Sequence, residues 1–434
     1  MSEIYSEINS NLEKLTNKII LLAHSGGVDS CVLCDILIRN KIKFSVAHCN
    51  FQLRGEESDN DLLFVKKWCK KNRIKFYHKI FNLKDYKLKN KKGIQEAARD
   101  LRYKWFSQLT TNKGFDYLVT AHHLNDQFET FLMNASRASG IFGLVGIPES
   151  NKLLRPLLNV TKMQILDYAK KNNLEWREDS SNTSEDYFRN IIRHQIVKPF
   201  ENHKPKTLEN FKKTLVHLKD AQEFISNQFD KLKKELFIKK NKHTYVFIES
   251  LKKIKPLSFS LHHFFSPLGF NSKEVEKLVF SSPGKLILSK KYRLIRDRKY
   301  LILSPLLKIK INEILIDLDK KNSKLPIPIK WEYISNFEKK AYKNNEVFLD
   351  RETLKSPISL RKYKNGDYFY PSGMKGKKLL SKFFKDEKYS LLDKEEQWLL
   401  CSKGEIVWII GKRCDNRFLA TPNTKNKLLM RDLR

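Results

Sequence analysis

Ser25-Gly26-Gly27-Val28-Asp29-Ser30 stands directly after the apolar run Ile19–Ala23 and directly before a helical pattern. Two glycines there permit a tight turn and a close approach of backbone to ligand. Successive N–H groups in such a turn form a nest for an anion, and the start of the next helix adds partial positive charge. Ser25 and Ser30 carry hydroxyls that can donate to the same phosphate oxygens. Asp29 fits beside a phosphate only with a cation between them, and Mg²⁺ takes oxygen ligands of this kind. Neither a Walker A loop nor G-x-G-x-x-G is present. The plainer alternative is an ordinary strand–helix turn with Gly for geometry and Ser or Asp as cap. The complete hexapeptide in this setting favours phosphate binding.

Such a loop needs a sheet to hold it. Short apolar runs at Ile19–Ala23, Phe44–His48, Phe76–Phe81 and Tyr117–Thr120 alternate with helix-period stretches at Ser30–Arg39, Glu57–Lys71, Ile94–Gln108 and Asp126–Ser136. That alternation predicts an α/β fold, a parallel sheet with flanking helices joined by right-handed crossovers. Pro199 and the polar stretch after it suggest a boundary. The expected domains are 1–205, catalytic; 206–325, mainly helical with a hairpin; and 326–434, a small basic α+β domain. Leu208–Phe237 reads as a helix; Lys285–Ser289, Tyr300–Ser304 and Ile406–Ile410 read as strands.

The chain has 434 residues with 84 Lys and Arg against 49 Asp and Glu, a formal charge of +35. The net is +10 up to residue 200 and +25 beyond it, so the excess sits in the second half. A field of this sign favours a polyanion, nucleic acid or an anionic membrane. No run of 18 apolar residues and no leader pattern occur, which argues for a cytoplasmic protein with no membrane partner. Six sparse cysteines fit a reducing compartment. An excess of lysine also follows from an AT-rich coding bias, and the plain reading of such a surface is a solvated one.

Ser25–Ser30 resembles the pyrophosphate loop of the N-type ATP pyrophosphatases, which cleave ATP to AMP and pyrophosphate and have a fold like the adenine nucleotide alpha hydrolases. Further segments resemble one branch, the tRNA(Ile)-lysidine synthetase family. They are Ala47–Ser58, Glu96–Tyr103, Thr120–Thr130 with Arg137–Gly140, Arg155–Leu158, Asp179–Asn182 and Tyr187–Arg193, in family order over the first 200 or so residues. Gly366-Asp367, Gly376-Lys377-Lys378 and Trp408–Arg413 resemble the C-terminal part of its long form. The resemblance implies a carbon–nitrogen ligase. The wobble cytidine of the CAU anticodon of tRNA(Ile) is adenylated on its C2 oxygen by ATP with Mg²⁺. L-lysine then attacks C2 through its ε-amine and expels AMP, so that the codon read changes from AUG to AUA and the identity from Met to Ile. A homodimer is compatible with this reading.

Under that reading Ser25, Gly26, Gly27, Val28, Asp29, Ser30, Arg102 and His122 bind ATP, and Asp29, Arg102, His122 and Asp126 are catalytic. A phosphate under attack needs fixed positive charge, which Arg102 and Mg²⁺ would supply. His122 and Asp126, four apart, share a helix face beside the C-terminal end of strand 117–120. Asp126 would hold Mg²⁺ with Asp29 or take a proton from the lysine ammonium, and Glu129 would hold its α-ammonium. His123 reads as packing or capping. Arg189 and Arg193 share a face suited to phosphate, while Arg361, Lys377, Lys378, Lys382 and Arg413 stand near Gly-containing turns and would contact tRNA.

Cys31-Val32-Leu33-Cys34 could mark a tRNA 2-thiolation enzyme, but the paired second motif is missing, and the pair reads as helix core. A non-catalytic RNA-binding protein is opposed by the intact loop, and a small-metabolite ligase by the basic second half. The stretch Leu391–Leu400 departs from the family's frequent arginine and proline, with Lys394 and three acidic residues there instead.

Overall fold

A computed structural model of the chain describes residues 3–83, 86, 93–178, 188–306, 313–320, 325–334 and 345–434. Residues 179–187, with the expected motif Asp179–Asn182 and Tyr187, lie outside the described residues. The described residues form two compact units, Met1–Ser226 and Asn227–Arg434. The division falls inside the helix Thr207–Leu236. The reason is packing: Leu208, Phe211 and Leu215 of that helix are buried in a cluster of the first unit.

In the first unit the strands β1 (Ile20–Ala23), β2 (Phe44–Asn50), β3 (Phe76–Ile80), β4 (Tyr117–Val119) and β5 (Leu153–Leu154) are all parallel, in the order β3-β2-β1-β4-β5. β1 is central and covered on both faces, which is why it reads as an unbroken apolar run. The helices α1 (Glu3–Leu15), α2 (Val28–Arg39), α3 (Glu56–Lys71), α4 (Ile94–Lys113) and α5 (Leu124–Ala135) flank the sheet. Ile4, Ile8, Leu12 and Leu15 of α1 recur at helical spacing and join Val32, Leu33, Ile36 and Leu37 of α2 in the main core. The strand order reverses between β1 and β4, which opens a crevice at their C-terminal ends. The loop 25–30 leaves β1 there, and His122 leaves β4 there.

In the second unit Phe237–Lys240, His243–Phe247, Tyr300–Pro305, Tyr292–Arg296 and Leu286–Leu288 form one antiparallel sheet in that order, beside the helices Leu257–Phe265 and Ser272–Val279. The two expected strands are thus part of a larger sheet. Towards the C-terminus a five-stranded antiparallel sheet runs through Ile358–Lys362, Trp398–Ser402 and Glu405–Ile409, with Trp408 fully buried. The short helix Leu391–Glu396 joins these two parts. Leu392 packs with Ile295 and Ile302. Arg293 Nη1 donates to Glu395 at 2.7 Å, while Lys242 and His243 reach Glu396 at 2.9 and 3.2 Å. Among the described residues no helix is long and apolar enough to cross a membrane.

Candidate active site

The loop is shaped by its own backbone and by one buried histidine. Gly26 has φ +95°, a conformation that side chains disfavour. Its N–H donates to His24 Nδ1 at 2.9 Å, and the Ser30 hydroxyl donates to Gly27 O at 2.8 Å. His24 is 2% exposed. Burial, with the charge of His48 adding to it, lowers its pKa to about 3. It is therefore a neutral acceptor that fixes the turn. No motif points to it, because its role is to support the loop from beneath. Ser25 Oγ lies 3.3 Å from Ser30 Oγ. Val28 opens α2, with Asp29 in its first turn.

Asp29 is met from across the crevice. Its Oδ1 accepts from Lys162 Nζ at 2.5 Å and lies 3.8 Å from His123 Nε2. The same imidazole nitrogen lies 3.6 Å from Asp126 Oδ2. His123 does cap α5, as expected, but it also stands between the two carboxylates assigned to the site. Its ring Nδ1 is buried with no hydrogen-bond partner among the described residues. Spacing in the sequence could not reveal this, because Asp29 in the first turn of α2 and His123 at the N-cap of α5 are far apart along the chain.

Asp126 and Glu129 are committed to other partners. Asp126 Oδ1 accepts from Arg189 at 2.9 Å and Oδ2 from the His123 N–H at 3.0 Å. Burial alone would raise the Asp126 pKa, but His123, Arg189, His122 and the His123 N–H outweigh it and hold the carboxyl well below its usual range. Both Asp126 oxygens are thus engaged, and a carboxylate expected to hold Mg²⁺ or to take a proton from an ammonium would first have to exchange one of these partners. Glu129 is 1% exposed, between Arg189 Nε at 2.6 Å and Arg193 Nε at 2.5 Å. The two arginines therefore face carboxylates here, not open phosphate sites, and an α-ammonium at Glu129 would have to displace one of them.

His122 is nearly buried, and its Nδ1 lies 2.6 Å from Arg155 Nη1 and 3.0 Å from Thr120 Oγ1. Burial lowers its pKa to about 3, with Asp126 opposing and Arg155 reinforcing the shift. Arg102 is exposed on α4, its guanidinium carbon 5.4 Å from the Phe51 ring centroid. Its charge is felt by His48 and Cys49 at the C-terminal end of β2, the same edge of the sheet.

The fit of Mg²⁺ rests on the donor set. Among the described residues no group of three or more His, Cys, Asp or Glu side chains is placed to hold a metal. Asp29, 28% exposed, can still offer one carboxylate to an ion that otherwise keeps waters and phosphate oxygens, the usual arrangement for Mg²⁺. Cys31 and Cys34 are buried, and desolvation pushes the Cys31 thiol up to about 12 and the Cys34 thiol well above its ordinary value. Such thiols are neither nucleophiles nor ready ligands.

In the second unit Lys377, Lys382 and Arg413 are exposed, as tRNA contacts must be. Lys378 pairs with Asp386 at 2.7 Å. Arg361, expected at the tRNA, is 5% exposed and donates to both oxygens of Asp367, at 2.7 and 2.9 Å. That buried bidentate pair holds the turn at Gly366, and a phosphate could not reach the guanidinium without breaking it.

Three family models match the chain in order. They are a PP-loop domain over residues 1–200, a TilS substrate binding domain over 239–306 and a TilS substrate C-terminal domain over 358–430. A tRNA(Ile)-lysidine synthase of Parabacteroides distasonis is 34% identical over 417 residues, covering 95% of this chain and 94% of its own. The protein of the same name from Bacteroides thetaiotaomicron is 33% identical over 414 residues, covering 94% of each chain. That of Porphyromonas gingivalis is 32% identical over 419 residues, covering 93% of this chain and 91% of its own.

Proposed function

The chain belongs to the tRNA(Ile)-lysidine synthase family, and on that premise we propose that it joins L-lysine to the wobble cytidine of tRNA(Ile) with the CAU anticodon, in the cytoplasm. The C2 oxygen of cytidine attacks the α-phosphorus of ATP, and pyrophosphate leaves. The ε-amine of lysine then attacks C2, loses a proton, and AMP departs with the oxygen. The observation that carries this reading is the meeting of Asp29, from the phosphate loop, and Asp126, from α5, at one imidazole, His123.

Each group has a task that its surroundings allow. With the Gly26 N–H held by His24, the N–H groups in the first turn of α2, from Val28 to Ser30, take the phosphates. Mg²⁺, when bound with ATP, neutralises phosphate charge, and Asp29 would hold it. Arg102, exposed at the rim, can swing onto the α-phosphate. His122, neutral, serves as a hydrogen-bond donor and not as a base. Asp126 and Glu129, already paired to Arg189 and Arg193, form a charged network against which the zwitterionic lysine exchanges partners. Residues 206–325 and 326–434 hold the tRNA body, with Lys377, Lys382 and Arg413 on the phosphates.

The test is direct. Protein, tRNA bearing CAU, ATP and radiolabelled lysine are incubated, and label in the tRNA is measured beside AMP and pyrophosphate. Label dependent on all three, with AMP as product, is expected. ADP as product, or turnover without RNA, would refute the assignment.

A further inference from the structure

Arg155 is 1% exposed, yet among the described residues no carboxylate oxygen lies within ion-pair distance of its guanidinium. Nη1 donates to Thr120 Oγ1 at 2.5 Å and approaches His122 Nδ1 at 2.6 Å, Nη2 donates to Tyr103 Oη at 3.2 Å, and Nε donates to Pro148 O at 3.3 Å. The Glu149 carboxylate accepts from the Arg155 backbone N–H at 3.0 Å, but the guanidinium itself is met by neutral groups, and burying it so costs stability that an apolar side chain of the same length would not. Packing therefore does not account for an arginine at this position. Its effect on His122 does.

A guanidinium has only hydrogens to offer. At 2.6 Å from Nη1, the His122 Nδ1 must be the bare, accepting nitrogen. The Thr120 hydroxyl, 3.0 Å from the same nitrogen, is itself an acceptor for Arg155 and can turn its hydrogen to Nδ1. The guanidinium demands this tautomer, and the hydroxyl, which can donate or accept, is compatible with it. A neutral ring with a bare Nδ1 carries its one proton on Nε2.

We propose that Arg155 is a positioning residue for the lysine-transfer reaction: it locks His122 as the Nε2–H tautomer and fixes the ring, so that this histidine donates a hydrogen bond to an oxygen of the reacting groups throughout the cycle. This rests on the reading of the crevice as the lysidine site. It excludes His122 as the base that deprotonates lysine, because the nitrogen that could accept a proton is covered by a cation.

Two measurements decide it. In the full-length protein with ¹⁵N-labelled histidine, long-range proton–nitrogen correlation should show His122, assigned by its loss in His122→Gln, with a protonated Nε2 and a bare Nδ1 across about pH 6 to 8. A proton on Nδ1, or two protons, overturns the proposal whatever the variants do. Arg155→Met should then lower kcat for lysine transfer on the order of 10²-fold, the scale of a misplaced catalytic group. KM for ATP and for tRNA should stay within about twofold, and Arg155→Lys should recover much of kcat. A loss confined to KM, or an unchanged kcat in folded Arg155→Met, also overturns it. If Arg155→Met does not fold, the wild-type spectrum and Arg155→Lys still decide. Failure of the function itself is distinguishable, because wild-type protein would then attach no lysine while the spectrum stayed as described.

Discussion

Replacing Lys377 and Lys382 by Ala tests whether the basic second half grips RNA. Both side chains are exposed, and Lys377 Nζ stands 5.4 Å over the Tyr368 ring, which supports it without neutralising it. Removing one lysine that neutralises a phosphate should flatten the log–log dependence of binding on salt by roughly 0.7–0.9, so the pair accounts for roughly 1.4–1.8. Over a fourfold rise in salt, wild type should then lose about tenfold more affinity than the double variant. Lys378 differs, because Asp386 already holds it at 2.7 Å. Lys378→Ala should change the slope by less than either exposed lysine does, and Asp386→Asn should steepen it by releasing a charge. The assay is filter binding of tRNA across a salt series, with steady-state KM for ATP and lysine as controls that stay fixed. If the double variant matches wild type in slope and in KM for tRNA, the charge there is compositional and the tRNA is held elsewhere.

Asp29→Ala should lower kcat by about 10²-fold or more, the scale for removing transition-state electrostatics, with the fold intact by circular dichroism. Because burial holds the folded pKa of His24 and His122 near 3, the unfolded chain binds more protons below about 6.5, so stability should fall as pH drops from about 6.5 toward 3. Urea titrations should show His122→Gln reducing that decline; an equal decline in the variant would disprove the sign. Asp126 acts lower still: its depressed carboxyl stabilises above its unfolded value of about 3.9, and that part is lost on further acidification and absent in Asp126→Asn. Cys31→Ala/Cys34→Ala should keep most lysine transfer and purify without iron or zinc, whereas stoichiometric metal that disappears on mutation would favour thiolation.

The strands around the loop are legible in the sequence because burial on both faces writes itself as apolar runs: Ile19–Ala23 and Tyr117–Thr120 each end within one residue of the observed strand. β5, two residues long, has no periodicity to read. The i,i+4 spacing of Arg189 and Arg193 correctly puts them on one face, but spacing carries no information on what lies opposite, and Glu129 lies there. Arg361 sits in a five-residue strand in which the central positions are buried, and nothing in the spacing marks Asp367 as its partner. Arg155 belongs to a segment that resembles the family, yet its use emerges only when β4 and β5 stand side by side.

The short acidic helix Leu391–Glu396 has a consequence for exchanging parts between relatives. Arg293 has only 15% of its side chain exposed and is matched to Glu395, and His243, 6% exposed, is matched to Glu396. A C-terminal segment transplanted from a relative without acids at these places would strand both basic groups against an unsuitable neighbour. A middle segment transplanted alone would strand the two glutamates. Chimeras that swap 239–306 and 358–430 together should fold where either single swap fails, and substitutions at 293 and 395 should be tolerated as matched pairs, so the two segments are inherited as one unit of compatibility.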